Sequence, residues 1–125
     1  VSFGDLGYSL IGDRTKRGDL GSIFKLTAKT AKKISEGHRN PQGLAIHPIT
    51  GQIWLGEFGP KAGDEINLLN PGKNYGWPVI TYGIEYSGQK VGQGIQQKEN
   101  MEQPVYYWDP AISPSGMTFY KGNYT

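Results

Sequence analysis

The chain contains no cysteine, so it can form neither a disulfide framework nor a thiolate metal site, and sulfur does not reveal its redox compartment. It has two histidines, His38 and His47. No third ligand joins them at metal spacing, so both read as structural. No apolar run approaches the ~20 residues of a membrane span. Long helical periodicity is missing as well. Neither charge dominates: thirteen basic residues against eleven acidic ones leave a formal +2, and Lys and Arg are scattered except at 14–17 and 29–33. That bias is too mild for a nucleic-acid partner. A signal segment is absent, and the chain opens on Val1 rather than Met, which fits removal of such a segment.

What is abundant points to one plan. Nineteen glycines, eight prolines and 12% aromatic residues fit many short strands joined by turns, an all-β domain. A chain of 125 residues can bury roughly two thirds of its unfolded surface, enough for a core.

The stretch GHRNPQGLAIHPITGQIWLGEFGPKAGDEINLLNPGKNYGW, from Gly37 to Trp77, organises the rest. Asn40 precedes Pro41 and is pushed toward extended or turn geometry, with Gly37 and Gly43 allowing bends on either side, which places Arg39 on a loop mouth. Leu44–Ile46, a turn cluster at Pro48, Thr50 and Gly51, and Ile53–Leu55 read as a β-hairpin. A loop with Gly59, Pro60, Gly63, Asp64 and Glu65 leads to a third strand, Ile66–Leu69, ended by Asn70, Pro71 and Gly72.

The same grammar precedes this stretch. Tyr8–Ile11, then Gly12 and Asp13, a basic loop, Ser22–Leu26, a Lys-rich turn and Lys33–Ser35 repeat the order of strand, acidic loop and strand. Gly12–Asp13 matches Gly56–Glu57 forty-four residues later, and Ser115–Tyr120 resembles Gln42–His47. A period of about 40–50 residues with four short strands per unit predicts a β-propeller. The segments are then a partial blade at 1–36, a blade at 37–81, and an insertion loop (Tyr82–Pro104) with the start of a next blade at 82–125. A little over two blades cannot bury their faces alone, so the chain is expected to be a piece of a longer protein.

Several residues have both a chemical and a bland reading. Arg39 and Asn40 can hold a planar anionic ligand, Arg through a rigid fork of donors, though spacing alone favours a bracing role. Asp64 and Glu65 can offer hard oxygens to Ca²⁺, and a solvated acidic turn fits them equally. Asp13 can orient a catalytic base, but alone it is more simply a turn residue. Trp54, Trp77 and Trp108 with Tyr106 and Tyr107 suit a core or a sugar platform, core being the default for Trp54. Gly92–Gly94 lacks the third glycine of a dinucleotide loop, Arg17–Asp19 is an adhesion tripeptide by letters only, and the sequon at Asn123 carries little weight.

GHRNPQGLAIHPITGQIW, GEFGPKAGDEINLLNPGKNYGWPVITYG and EQPVYYWDPAISPSGMTFY, with LIGDR near the start, closely resemble the soluble pyrroloquinoline-quinone (PQQ)-dependent glucose and aldose sugar dehydrogenases, in order over nearly the whole chain. The resemblance implies a six-bladed β-propeller, Ca²⁺, a quinone on its top face, and oxidation of an aldose at C1 to the lactone. It places the quinone-binding pair on Arg39 and Asn40, with Tyr86 as an aromatic contact. Asp64, Glu65 and the carbonyl of Tyr75 fall on a structural Ca²⁺ site, and Gly59 and Pro60 on carbonyls that hold the cofactor's own Ca²⁺. Asp13 falls on the carboxylate that supports the catalytic base, and Trp108 near the sugar.

The base itself, a histidine before the LIGDR strand in the family, has no counterpart here, and neither His38 nor His47 replaces it. Later cofactor ligands are also missing, and the segment between LIGDR and GHRN is shorter than in most relatives. The isolated chain is therefore expected to lack turnover. An aldose substrate, an external electron acceptor, a periplasmic or secreted location and a possible homodimer complete the expectations, with no nucleic acid and no membrane span. The alternative is a non-catalytic Ca²⁺-binding propeller module of the hedgehog-interacting type. A third reading is an all-β domain with neither metal nor cofactor.

Overall fold

The computed structural model describes residues 20–122. Among them every regular element is a strand: β1 (Ile23–Leu26), β2 (Ala31–Glu36), β3 (Asn40–Ile46), β4 (Ile53–Phe58), β5 (Asp64–Leu69), β6 (Lys73–Asn74) and β7 (Tyr106–Trp108). They form two sheets, one ordered β1-β2-β6 and one ordered β3-β4-β5-β7. The all-β expectation holds among the described residues. Asp13, the strand at Tyr8–Ile11 and the opening of the first copy of the proposed repeat, through residue 19, lie outside them.

Turn chemistry fixes the hairpins. Thr27 and Thr30 close the β1–β2 turn through a backbone bond of 2.8 Å and a hydroxyl pair at 2.6 Å. In the β3–β4 hairpin Gly51 adopts φ +72°, a left-handed conformation open to glycine, while its N–H donates to the His47 carbonyl at 2.9 Å. The His47 ring Nδ1 accepts from the Ile49 and Thr50 amides at 3.2 and 3.1 Å, so this histidine caps a turn. Register then follows, with Ala45 opposite Trp54 and Ile46 opposite Ile53.

Side-chain alternation decides which face becomes core. Ile53, Leu55 and Glu57 on β4 pair with Leu69, Asn67 and Glu65 on β5 and share one face. Leu55 and Leu69 on that face meet Ile23 of the other sheet and Tyr75, with Ile34 and Ile53 packed around them. The core therefore lies between the sheets. Trp54, expected in the core, falls one residue out of phase; it sits on the opposite face against Phe119, ring centroids 6.0 Å apart.

Three details differ from the sequence reading. The strands begin earlier: Asn40 already belongs to β3, and Asp64 and Glu65 open β5 instead of occupying a loop. The second sheet takes its fourth strand from 106–108, past position 81, while 73–74 pairs in parallel with β2 of the first sheet. Residues 115–120, expected as a first strand, form no ladder among the described residues. They instead lie across the second sheet, with Gly116 so close to Gly43 that a Cβ there would sit 3.0 Å away. The polar stretch from Tyr82 to Pro104 is irregular, with a single bridge between Ile80 and Ile95 nearby.

Leu55 is 1% exposed at the centre of this core. Leu55→Ala is expected to lower unfolding free energy by about 2–5 kcal/mol, whereas Lys29→Ala on the exposed β1–β2 turn should change it by less than about 0.5 kcal/mol. Urea titration followed by circular dichroism measures both, and equal effects would contradict the placement of the core.

Candidate functional site

The chain between β2 and β3 is clamped by the segment after β6. The Tyr75 amide donates to the Glu36 carbonyl and the Trp77 amide to the Gly37 carbonyl, both at 2.9 Å. This puts GHRN beside NYGW. The His38 ring stacks on Tyr75, centroids 4.9 Å apart and planes 22° apart, and the Arg39 guanidinium lies 5.5 Å above the Trp77 ring, a cation–π distance. Arg39 Nη1 also donates to the Gly59 carbonyl at 2.7 Å.

Beneath Arg39 runs a buried polar chain. His38 is fully buried, with Nε2 2.8 Å from Ser35 Oγ and Nδ1 2.8 Å from Glu57 Oε2. A carboxylate oxygen can only accept, so Nδ1 carries the proton in this pair. The other oxygen of Glu57 accepts from Asn67 Nδ2 at 3.3 Å, and the same nitrogen donates to Glu65 Oε1 at 3.1 Å. One amide thus stands between two carboxyl groups on cross-strand partners. Asn67 Oδ1 is buried without a partner. Burial, and then the neighbouring Glu57, push the Glu65 carboxyl well above the usual carboxylate range. Burial also raises the Tyr75 phenol, whose hydroxyl donates to the Leu68 carbonyl at 2.6 Å and accepts from the Asn70 amide at 2.7 Å.

These groups surround a narrow cavity of about 10 Å³, lined by Arg39, Glu57, Gly59, Glu65, Tyr75 and Trp77 among others. Such a volume holds a water or an ion, not a quinone. Among the described residues no three His, Asp or Glu side chains converge as a metal cluster. A hard cation here would need carbonyl oxygens as well as Glu65, which suits calcium's preference for six to eight mixed oxygen ligands.

The sequence candidates divide accordingly. Arg39, Gly59, Glu65 and Tyr75 meet around one cavity, and Asn40 follows Arg39 at the start of β3 with its Oδ1 accepting from Gln42 at 2.6 Å. Pro60 is buried in the adjoining loop. Asp64 was read either as a Ca²⁺ ligand or as part of a solvated turn; it is 2% exposed, and its carboxylate accepts three backbone amides. Tyr86 is 72% exposed and does not line the cavity. Trp108 lies on another groove, with Tyr82 stacked on Tyr107 at 3.8 Å. Glu57, Asn67 and Ser35 were missed. Glu57 had a signal: it follows Ile53 and Leu55 on the inward phase of a strand, where a charge needs a partner.

Arg39 thus shares one pocket with the Glu57 and Glu65 side chains and with Gly59. The family model for glucose/sorbosone dehydrogenase matches residues 21–125, and the chain belongs to that family. It is 45% identical over 102 residues to the aldose sugar dehydrogenase YliI of Escherichia coli, covering 81% of this chain and 28% of that protein. The crystal structure of the soluble aldose sugar dehydrogenase of Escherichia coli in its apo form superimposes with a TM-score of 0.84 at 37% identity, over 98% of this chain and 40% of that one. The PQQ-bound aldose sugar dehydrogenase of Streptomyces coelicolor gives 0.67 at 30% identity, over 93% and 34%. The chain thus spans well under half the length of these relatives. No helix among the described residues is long and apolar enough to cross a membrane.

The Glu65 carboxyl is easier to protonate in the folded state than in the unfolded one. Its contribution to stability is therefore present below its ordinary value of 4.5 and lost as pH rises through the raised folded value. Without added cation, Glu65→Gln should melt at a higher temperature than the parent at pH 7 and show a flatter decline from pH 4.5 upward. Melting curves across that range test this, and a variant that declines as steeply as the parent would exclude Glu65 as the source.

Proposed function

We propose that this chain is the quinone- and calcium-binding part of a PQQ-dependent aldose sugar dehydrogenase that oxidises the sugar at C1 to the lactone. The observation that carries the reading is the convergence of Arg39, Gly59, Glu65 and Tyr75 on one cavity within a chain of this family. The two face-to-face sheets fit adjacent blades of a β-propeller, and export to the periplasm or beyond the cell belongs to the same reading.

The residues present suit the two absent groups. Arg39 and Asn40, partly exposed at the rim, would hold the quinone. Glu65 with the Tyr75 carbonyl would hold one calcium, and the Gly59 and Pro60 carbonyls the calcium that accompanies the cofactor. When bound, the quinone provides a two-electron acceptor and calcium a Lewis acid.

The chain's own work is binding and orientation. Arg39 is fixed on one side by the Trp77 face and on the other by the Gly59 carbonyl, so its remaining donors point without further ordering. Neither histidine is suited to remove the sugar's C1 hydroxyl proton: His38 is fully buried with both nitrogens bonded, and His47 is tied into a turn. That base comes from outside the described residues, and Asp13 is the candidate that would orient it. The isolated 125 residues are accordingly expected to bind without turnover.

Reconstitution of the chain with PQQ and Ca²⁺, read by dye reduction on a panel of aldoses and by calorimetry, tests the proposal. Binding of both groups without dye reduction is the expected result, and turnover by the isolated chain refutes the claim of incompleteness. Calcium binding without quinone binding would favour the non-catalytic module, and no heat from either a domain without cofactors. Arg39→Ala should weaken quinone binding by about 10–100-fold, the loss expected for a charge-assisted hydrogen bond.

A further inference from the structure

Asp64 has a different part from the one its acidic neighbour suggests. Its Oδ1 accepts from the Gly59 amide at 2.9 Å, and its Oδ2 accepts from the Ile112 and Ser113 amides at 2.9 and 2.7 Å. A carboxylate offers about four lone-pair directions, and three are taken here by backbone N–H groups. The donors come from two distant segments. Gly59 opens the loop between β4 and β5, while Ile112 and Ser113 follow it by about fifty residues in sequence. Ser113 has φ +53°, a left-handed conformation that turns successive amides toward one acceptor.

The loop so held carries the carbonyl that Arg39 uses. Gly59 gives its N–H to Asp64 and its C=O to the guanidinium. The Lys61 amide donates to the Ile84 carbonyl and the Gly63 amide to the Trp108 carbonyl, both at 2.9 Å. A Cβ on Gly59 would collide with the carbonyl oxygens of Ala62 and Gly63, so the loop has no slack at its first residue. With its amides tied inward at Gly59, Lys61 and Gly63, the directions of its carbonyls are set.

We propose that Asp64 is a positioning residue: its buried carboxylate ties the Gly59 loop to the Ile112–Ser113 segment and so aims the Gly59 carbonyl and Arg39, and it does not itself ligate a cation. The consequence for quinone binding rests on the function proposed above. The clasp itself does not.

The test compares Asp64→Asn with Glu65→Gln in the full-length protein. Asparagine keeps the shape but must turn its NH₂ group either toward the Gly59 amide or toward the Ile112 and Ser113 amides, so one arm of the clasp is lost. Asp64→Asn should leave Ca²⁺ affinity at the Glu65–Tyr75 site, by calorimetry without quinone, within about twofold of the parent, while quinone affinity, by absorbance titration, falls roughly tenfold or more and excess Ca²⁺ fails to restore it. Glu65→Gln should lose Ca²⁺ affinity first. The proposal is overturned if Asp64→Asn loses Ca²⁺ affinity at the Glu65–Tyr75 site about tenfold and excess Ca²⁺ restores quinone binding, the behaviour of a direct ligand.

A second measurement needs no variant. In the parent, the amide resonances of Gly59, Ile112 and Ser113 should exchange slowly with solvent and keep their shifts on Ca²⁺ addition; fast exchange or large shifts at all three would overturn the proposal. If the parent binds neither quinone nor calcium, the function proposed above fails. Slow exchange at these amides would still support the clasp, and fast exchange would still sink it.

Discussion

The buried His38–Glu57 pair is the constraint on which the site depends. It joins the end of one sheet to the middle of the other, since Ser35 lies on β2 and Glu57 on β4, and the imidazole bridges them at 2.8 Å on both sides. An imidazole with no exposed surface must satisfy both nitrogens from protein groups, or folding bears the full desolvation penalty. The observed placement of the two sheets does this. That placement also leaves Arg39, the next residue, over Trp77 and within reach of the Gly59 carbonyl.

The same pair determines what happens at Glu65. Glu57 directs one oxygen to His38 and the other to Asn67, so the Asn67 NH₂ group is divided between two carboxyl groups. Burial, and then the nearby Glu57, raise the proton affinity of Glu65, and the shared Asn67 hydrogen bond offsets this only in part. The opposite solution appears a residue earlier. Asp64, on the other phase of β5, has three amides to itself and no comparable deficit of donors. Two adjacent acidic residues, identical in motif terms, are separated by strand alternation into a carboxyl short of donors and a saturated one.

Strand alternation also explains how far the sequence could be read. The hairpin at Leu44–Leu55 and the strand at Ile66–Leu69 were legible because Pro48, Gly51, Asn70 and Gly72 punctuate them. The rim position of Arg39 followed from Gly37 and from Asn40 preceding Pro41. The extension of β5 back to Asp64 was not legible, because Gly63 and two acidic residues carry turn-like propensity; pairing of Glu65 with Tyr107, far along the chain, overrides it. Core was the default for Trp54, yet Leu55 holds the inward phase and Trp54 faces away. The buried polar chain was hidden for a different reason. Ser35, His38, Glu57 and Asn67 come from three strands and a loop, and no local pattern relates them. Only the inward phase of Glu57 betrays that a partner must exist.

A hydrophobic cluster in the place of this polar chain could be as stable or more so, because desolvating a histidine and two carboxyl groups is costly. What an apolar cluster would not supply is direction. Leu55, Ile53 and Leu69 contact Ile23 and Ile34 through surfaces that tolerate sliding, whereas hydrogen bonds of 2.8 Å at both ring nitrogens tolerate little. A one-residue slip of β4 against β5 would turn Glu57 outward and bring Trp54 or Gly56 onto the inward face, leaving His38 and Asn67 unpaired in the interior. The penalty for that slip falls on at least two buried polar groups, so register is fixed most strongly beside the cavity where Arg39, Gly59 and Glu65 must meet. The polar chain is better understood as the device that specifies where these groups stand than as a source of stability.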